Sequence, residues 1–262
     1  MHDYFVMYLI TGAFAGTLSG LLGIGGGTVV VPCLMWVYAH QGLPNDMLMH
    51  IAAGTSLASM VVTTLFSMLA HRRHGIQIGH IYKRLVIGVV IGTVLGAIFA
   101  DYLHSHVLRV AFGMFLLVIA MRMMFMPNIT SKSGLPKRTG MSIMSLLIGG
   151  KSGLLGIGGG SLSIPFLTYC NVPLRQAVGA STACSMTIAV VGALTLMITG
   201  FHEPGLPAGS IGYVYWPGVL GIIIASPAFA FVGTHMSHRL PVHVLKRIFA
   251  VFLLLTSLHM LV

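Results

Sequence analysis

The sequence predicts an all-α polytopic membrane protein built from two inverted repeats. Charged residues make up 7% of the chain and the mean hydropathy is +0.95, which is far from a soluble domain. Several apolar runs of about 20 residues are long enough to cross a hydrocarbon core of about 30 Å. The nine residues Ser-Gly-Leu-Leu-Gly-Ile-Gly-Gly-Gly occur twice, at 19–27 and at 152–160, and a proline follows each copy, at Pro32 and Pro165.

Each repeat is expected to hold a broken segment followed by three transmembrane spans. The first repeat, residues 1–126, has its broken segment at 4–38 and its spans at 47–70, 85–102 and 107–125. The second repeat, residues 139–262, has its broken segment at 141–169 and its spans at 177–199, 213–231 and 244–262. A polar cytoplasmic linker, residues 127–138, is expected between them. The start of the chain lacks the basic flank of a signal peptide, so we expect it to remain in the mature protein.

Consecutive glycines end each copy of the repeated block, at 25–27 and 158–160. Glycine leaves the backbone too free for a stable helix, and proline lacks the amide hydrogen that a helix interior uses. Membrane proteins tolerate such irregular backbone where it faces protein or a cavity. Matching breaks in two related halves are typical of transporters that bind a ligand near the bilayer midplane. The sequence therefore predicts that both breaks face a ligand.

Other glycines have a different interpretation. Gly88, Gly92 and Gly96 recur at every fourth position, and small residues at this spacing let membrane helices approach closely. We expect these three to pack helices together. The consecutive glycines fit that explanation poorly, because they damage the helix itself.

Two topologies are compatible with the broken segments. If each segment crosses the membrane once, the basic residues divide poorly between the two faces. If each is a hairpin that returns to its own side, the halves are inverted, and Arg109 is the one lysine or arginine left outside. The excess of basic residues on the cytoplasmic side favours the hairpins. A single broken span in each half remains the alternative.

The chemistry of the breaks suits an anion. The second part of each broken segment would begin a new helix, whose unpaired amide groups and positive end attract negative charge. Nearby hydroxyls can donate or accept hydrogen bonds, as an oxyanion requires. The predicted substrate-binding residues are Ser19, Gly25, Gly26, Gly27, Thr28, Thr55 and Ser56 in the first half, and Lys151, Ser152, Gly158, Gly159, Gly160, Ser161, Ser181 and Thr182 in the second.

Lys151 is the charged residue inside a broken segment, and Leu18 takes its place in the first half. A lysine in hydrocarbon is costly, so it usually faces a cavity or the interface. Two interpretations stay open. The ammonium group attracts the anion to the site or to its cytoplasmic mouth, or the side chain snorkels to the membrane surface from a hairpin arm.

Several other functions are disfavoured. The net charge of +10 suggests nucleic-acid binding, but the basic residues lie in short loops beside the spans, where they orient a membrane protein. Cys33, Cys170 and Cys184 lack the spacing of a metal site or a disulfide framework, so we expect no metal and no cofactor. The spans hold no nucleophile–base pair and no acidic dyad, so we do not expect an enzyme. The expected partners are a small anion and the lipid bilayer.

The repeated block resembles the TauE/SafE sulfite exporter family, also called the TSUP family. It has the pattern G-x-x-x-G-L-L-G-I-G-G-G-x-x-x-x-P-x-L, from Gly16 to Leu34 and from Gly149 to Leu167. The resemblance implies transport of small sulfur-containing or organic anions, such as sulfite and sulfonates, across the bacterial inner membrane. One departure is Ala180, which stands where the first half has a threonine.

The predicted function is export of sulfite or a related anion by alternating access around a midplane site. An anion channel for the same substrates is the alternative, because no gate is visible in the sequence. The composition is compatible with a homodimer and does not determine the oligomeric state.

Overall fold

A computed structural model describes residues 2–22, 26–72, 79–125, 134–237 and 242–261. Within them the chain forms ten α-helices. Those of the first half are α1 (His2–Leu22), α2 (Gly27–His40), α3 (Leu48–Arg72), α4 (Gly79–Asp101) and α5 (Ser105–Phe125). Those of the second half are α6 (Arg138–Leu155), α7 (Gly160–Tyr169), α8 (Leu174–Thr199), α9 (Trp216–Ser237) and α10 (Val242–Leu261). Most of the predicted linker, residues 127–133, lies outside the described residues.

The predicted class, an all-α membrane protein, is confirmed. Among the described residues, five segments are long and apolar enough to span a bilayer: Leu48–Met68, Gly79–Asp101, Ser105–Phe125, Leu174–His202 and Trp216–Gly233. Helix α4 shows how the sequence divides between core and lipid. Ile87, Ile91 and Leu95 are 68%, 49% and 56% exposed along one face, while Val89 on another face is fully buried. An apolar face of this kind is unfavourable in water and is covered by lipid in a membrane.

The first helix of each half packs on the other half, since α6 lies against α4 and α1 lies against α9. Along α4 and α6 the contact is close: Gly88 faces Ser145, while Gly92 and Gly96 both face Gly150. A Cβ atom at any of these three α4 glycines would collide with α6. The prediction that they pack helices is therefore confirmed.

Helices α1 and α9 repeat this arrangement. Gly12 lies against the backbone of Ile222, and Gly16 lies against that of Ser226, one turn further along both helices. The contacts advance together along the two chains, so α1 and α9 run parallel. Helix α5 of the first half packs on α10 of the second half, and the Ser257 hydroxyl of α10 donates to the backbone oxygen of Gly113 in α5 at 2.8 Å.

Helices α3 and α8 hold corresponding places in the two halves and pack on each other. Leu57 of α3 lies beside Gly192 of α8. Further along α3, the Thr64 hydroxyl contacts the sulfur of Met186 at 3.2 Å, and Met186 precedes Gly192 in α8. These two helices therefore run antiparallel. Residues 48–60 of α3 are all buried, which makes this helix the main wall of the core.

A short β-hairpin precedes α9 and was not expected from the sequence. Its strands are β1 (Ser210–Ile211) and β2 (Val214–Tyr215). The backbone turns at Gly212, whose φ is +54°, and buries Tyr213. The Tyr213 amide donates to the backbone oxygen of Leu196 at 3.2 Å. The Tyr213 hydroxyl donates to the carboxylate of Asp101 at 2.8 Å. Because of this turn, α9 begins at Trp216, three residues after the start of the expected span.

Candidate binding site at the two glycine breaks

The two breaks restart their helices with the same backbone geometry. Gly26 precedes α2 with φ −62° and ψ −13°, and Gly159 precedes α7 with φ −61° and ψ −19°. Each of these glycines accepts amide hydrogen bonds from residues three and four positions later. Gly25 lies outside the described residues. The repeated sequence therefore specifies a repeated helix start, at the positions that the sequence analysis assigned to the site.

The breaks from the two halves are in contact. A Cβ atom at Gly27 would lie 2.9 Å from the backbone oxygen of Gly156 and 3.0 Å from the Cα atom of Ile157. Real Cβ atoms do not approach other atoms so closely, so this contact requires glycine at position 27. The same Cβ atom would also lie 2.9 Å from the sulfur of Met60. The start of α2 thus lies beside the turn that precedes α7.

The second break is held in place by the first half. Gly156 ends α6 in the left-handed region with φ +69°, a conformation that favours glycine. The Ile157 amide donates a hydrogen bond to the backbone oxygen of Ser152 at 3.1 Å. The Ser56 hydroxyl of α3 donates to the Gly156 backbone oxygen at 3.0 Å. This hydrogen bond satisfies a carbonyl group that the end of α6 leaves without a helical partner.

Equivalent hydroxyls lie one residue after each helix start. Thr28 is the second residue of α2 and Ser161 is the second residue of α7. Both are buried, with exposed fractions of 1% and 6%. The Ser161 hydroxyl accepts a hydrogen bond from Lys151, whereas the Thr28 hydroxyl has no partner among the described residues. A buried hydroxyl usually has a partner, so Thr28 is a candidate ligand-binding group.

Lys151 extends towards the start of α7. Its ammonium nitrogen lies 2.7 Å from the Ser161 hydroxyl and 4.4 Å from the centre of the Phe115 ring in α5. In this position it contacts the break. A snorkelling side chain would instead extend to the membrane surface. The Phe115 contact was missed, because the approach of α5 to α6 depends on tertiary packing and leaves no local signal in the sequence.

Other predicted site hydroxyls make hydrogen bonds within the protein. Thr55 accepts the Tyr215 amide at 3.0 Å and so anchors the β-hairpin. Ser181 shares a 2.7 Å hydrogen bond with Ser163 of α7, a residue outside the predicted set. Ser152 and Thr182 donate to backbone oxygens of their own helices, at 2.6 Å and 2.9 Å. Ser19 is half-buried in α1, and Gly158 and Gly160 are buried at the second break.

The structure therefore separates the predicted residues by place. The helix-start glycines, Thr28, Ser161 and Lys151 lie at the breaks. Ser56 of α3 and Ser181 of α8 support the second break through hydrogen bonds. Thr55 belongs to the hairpin contact, and Ser152 and Thr182 bond within their own helices.

Comparison with known proteins agrees with this architecture. The family model for the sulfite exporter TauE/SafE family matches residues 8–260. A probable membrane transporter protein of Haemophilus influenzae is 33% identical over 263 residues, which cover 99% of both chains. One from Methanocaldococcus jannaschii is 30% identical over 227 residues, 84% of this chain and 79% of the relative. One from Bacillus subtilis is 30% identical over 220 residues, 75% of this chain and 79% of the relative.

No solved structure matches the chain. The family match covers nearly the whole sequence, including both glycine breaks and the helices that hold them. The chain therefore belongs to the sulfite exporter TauE/SafE family and is a membrane transporter.

Proposed function

We propose that the protein carries a small oxyanion, sulfite or a related sulfur-containing organic anion, across the bacterial inner membrane. The anion binds where the two glycine breaks meet, and alternating access exposes this site to each side in turn. The observation that carries the proposal is the contact of Gly27 with Gly156 and Ile157. It brings two matching interruptions, one from each half of the sequence, to one place in the protein interior.

The groups at this place suit an oxyanion. The first amide groups of a helix have no acceptor within that helix, so each helix start supplies hydrogen-bond donors. Thr28 and Ser161 add a buried hydroxyl to each start. Lys151 adds one positive charge, and no aspartate or glutamate occurs in α5, α6 or α7. The family's name supplies sulfite as the first substrate to test.

We propose further that the two halves are inverted, with the broken segments inserted from opposite sides. The antiparallel packing of α3 and α8 supports this, because corresponding helices of inverted halves run in opposite directions. The first break gives similar support: a Cβ atom at Gly26 would lie 3.7 Å from that of Ala15 in α1, and the Tyr4 hydroxyl of α1 donates to the backbone oxygen of His40 at 3.1 Å. Helix α2 therefore runs back along α1, as the returning arm of a hairpin does.

The proposed direction is export. The membrane potential of a bacterial cell is negative inside, and moving one negative charge outward is favoured by about 2.3 kcal/mol per 100 mV. A carrier for a singly charged anion can therefore export it without a coupling ion. The four acidic residues of the chain all lie at or outside the ends of the helices, which gives little basis for a carboxylate proton relay.

Flux measurements on the purified protein in liposomes test the proposal. We expect saturable sulfite uptake that an inside-positive potential accelerates, together with counterflow driven by unlabelled sulfite. Uptake that does not saturate and shows no counterflow would replace the carrier with a channel. The absence of flux for sulfite, sulfonates and sulfate would overturn the proposal.

A glycine pair tests the location of the site. A Cβ atom at Gly26 would meet nothing closer than 3.7 Å, so Gly26→Ala fits the protein. If a ligand approaches this backbone, the added methyl group displaces it, and we expect flux to fall by about tenfold or more. Gly79→Ala is the matched control, since a Cβ atom at Gly79 has open space around it. Normal flux in a folded Gly26→Ala protein would move the site elsewhere.

Cysteine labelling tests the inversion. Asp46 and Glu203 are both exposed, in the loops after α2 and α8. Inverted halves place Asp46→Cys and Glu203→Cys on the same face of the membrane. A single broken span in each half places them on opposite faces, and labelling of that kind would contradict the inversion.

A further inference from the structure

The helix starts at the two breaks share a backbone geometry, but the two breaks differ in charge. Lys151 occupies the position one residue before the repeated block in the second half, and Leu18 occupies it in the first half, where it packs against the apolar core. The hydroxyls at the two helix starts also differ in their hydrogen bonds. Ser161 is bonded to Lys151, and Thr28, which is 99% buried, has no partner among the described residues.

Lys151 is incompletely paired. An ammonium group has three hydrogens to donate, and the described residues give it one acceptor, the Ser161 hydroxyl. The face of the Phe115 ring offers a further, weaker attraction. No carboxylate pairs with Lys151 among the described residues, and the adjoining helices α5 and α7 contain none in their sequences. A half-buried cation with so few partners is costly, and an anion would relieve that cost.

The helix ends add little net charge. Each break joins the negative carboxyl end of one helix to the positive amino end of the next, so their partial charges largely offset each other. The carbonyl oxygen of Gly156 is already bonded by Ser56. Lys151 is therefore the one cationic side chain that the described part of the site holds.

We infer that the site accepts an anion with a single negative charge, and that Lys151 determines this selectivity. The inference rests on the proposed function and specifies the substrate class of the same site. The charged end of the anion lies at Lys151 and Ser161. A dianion would leave one negative charge without a partner in a medium of low dielectric constant, which is strongly unfavourable.

Two probes of similar size separate the charge classes. Methanesulfonate carries one negative charge and sulfate carries two, and neither titrates near neutral pH. We expect the parent protein to bind methanesulfonate about tenfold more tightly than sulfate, a difference of about 1.4 kcal/mol. Binding is measured by isothermal titration of the purified full chain in detergent, and flux of both probes is measured in liposomes.

Exchange of the two residues isolates the charge. Lys151→Leu should weaken methanesulfonate binding by about tenfold, a loss of about 1.4 kcal/mol, and should weaken sulfate binding at least as much, because neither anion then meets a cation. Leu18→Lys adds a second cation at the equivalent position of the first half and should improve sulfate binding relative to methanesulfonate. The double variant Leu18→Lys and Lys151→Leu moves the cation to the other half and should restore methanesulfonate binding. Lys137→Leu, at an exposed cation before α6, is the control and should change nothing.

The outcomes separate this inference from the proposed function. Equal binding of methanesulfonate and sulfate by the parent, or unchanged methanesulfonate binding in Lys151→Leu, would overturn the inference and leave anion transport intact. Failure of the parent to bind or carry either probe or sulfite would overturn the proposed function itself. Lys151→Met provides a second test if the leucine variant does not fold, and it should lose the same methanesulfonate affinity.

Discussion

The helix starts at the first and second glycine breaks have nearly the same backbone and different surroundings. A Cβ atom at Gly26 would lie 3.7 Å from the side chain of Ala15, and one at Gly159 would lie 3.4 Å from the equivalent Ile148. At Gly159, however, Ile188 of α8 approaches to 2.9 Å, and nothing comparable approaches Gly26. The first break is therefore the roomier of the two, and the second is the more tightly packed.

The difference shows which properties the repeat preserves. The glycines and the helix starts are common to both halves, because they depend on local backbone geometry. Charge and packing differ: Lys151 stands where the first half has Leu18, and Ile188 approaches Gly159 to 2.9 Å, whereas the neighbours recorded around Gly26 lie at 3.7 Å. We infer that the shared backbone makes the site, while the unequal side chains give it a charged half and a neutral half.

The largest expected effect on stability and flux comes from a substitution that forces the two breaks apart. Gly27→Ala places a methyl group 2.9 Å from the Gly156 oxygen and 3.0 Å from the Ile157 Cα atom, and both are backbone atoms that cannot move aside freely. Overpacking of this kind costs about 1–3 kcal/mol, so we expect a lower unfolding temperature together with loss of flux. The measurement is thermal unfolding in detergent, followed by flux in liposomes.

The neighbouring Gly26→Ala is the control for stability, because its methyl group makes ordinary contacts. Its unfolding temperature should match that of the parent. An equal loss of stability in both variants would show that the contact between the breaks has no special role.

The sequence indicated the breaks because glycine and proline act locally. The repeated block predicted new helices directly after the glycines, from Thr28 and from Ser161, and α2 and α7 begin one residue earlier, at Gly27 and Gly160. It could not predict which hydroxyls are already bonded, because that depends on elements distant in sequence. The Thr55 hydroxyl accepts a hydrogen bond from the amide of Tyr215, 160 residues away. The hairpin that supplies this amide has strands of only two residues, which leave little signal in the sequence.

Two equivalent serines provide an intermediate effect. Ser56 in α3 bonds the Gly156 oxygen of the other half, whereas Ser181 in α8 bonds Ser163 of its own half. Ser56→Ala leaves a buried carbonyl without this partner, and we expect a loss of stability of about 1–3 kcal/mol. Ser181→Ala should cost less, because Ser163 keeps its 2.7 Å hydrogen bond to Gly159.

Thermal unfolding of the two serine variants in the same detergent compares them directly. A larger loss of stability in Ser181→Ala than in Ser56→Ala would mean that the hydrogen bond between the halves, from Ser56 to Gly156, stabilises the protein less than the one between Ser181 and Ser163. The second break would then depend on its own half for support.

The smallest expected effect on stability comes from Thr28, and its sign differs from the others. The hydroxyl is buried and has no partner among the described residues, so Thr28→Val removes a desolvated polar group and nearly preserves the shape of the side chain. We expect the protein to keep its unfolding temperature or to gain up to about 1 kcal/mol in stability. If this hydroxyl binds the anion, methanesulfonate affinity should fall several-fold in the same variant. Ser161→Ala is the matched comparison and should weaken both stability and binding, because Lys151 loses its acceptor at 2.7 Å. A Thr28→Val protein that loses stability and binds methanesulfonate normally would assign this hydroxyl to the fold and leave the anion to the second half.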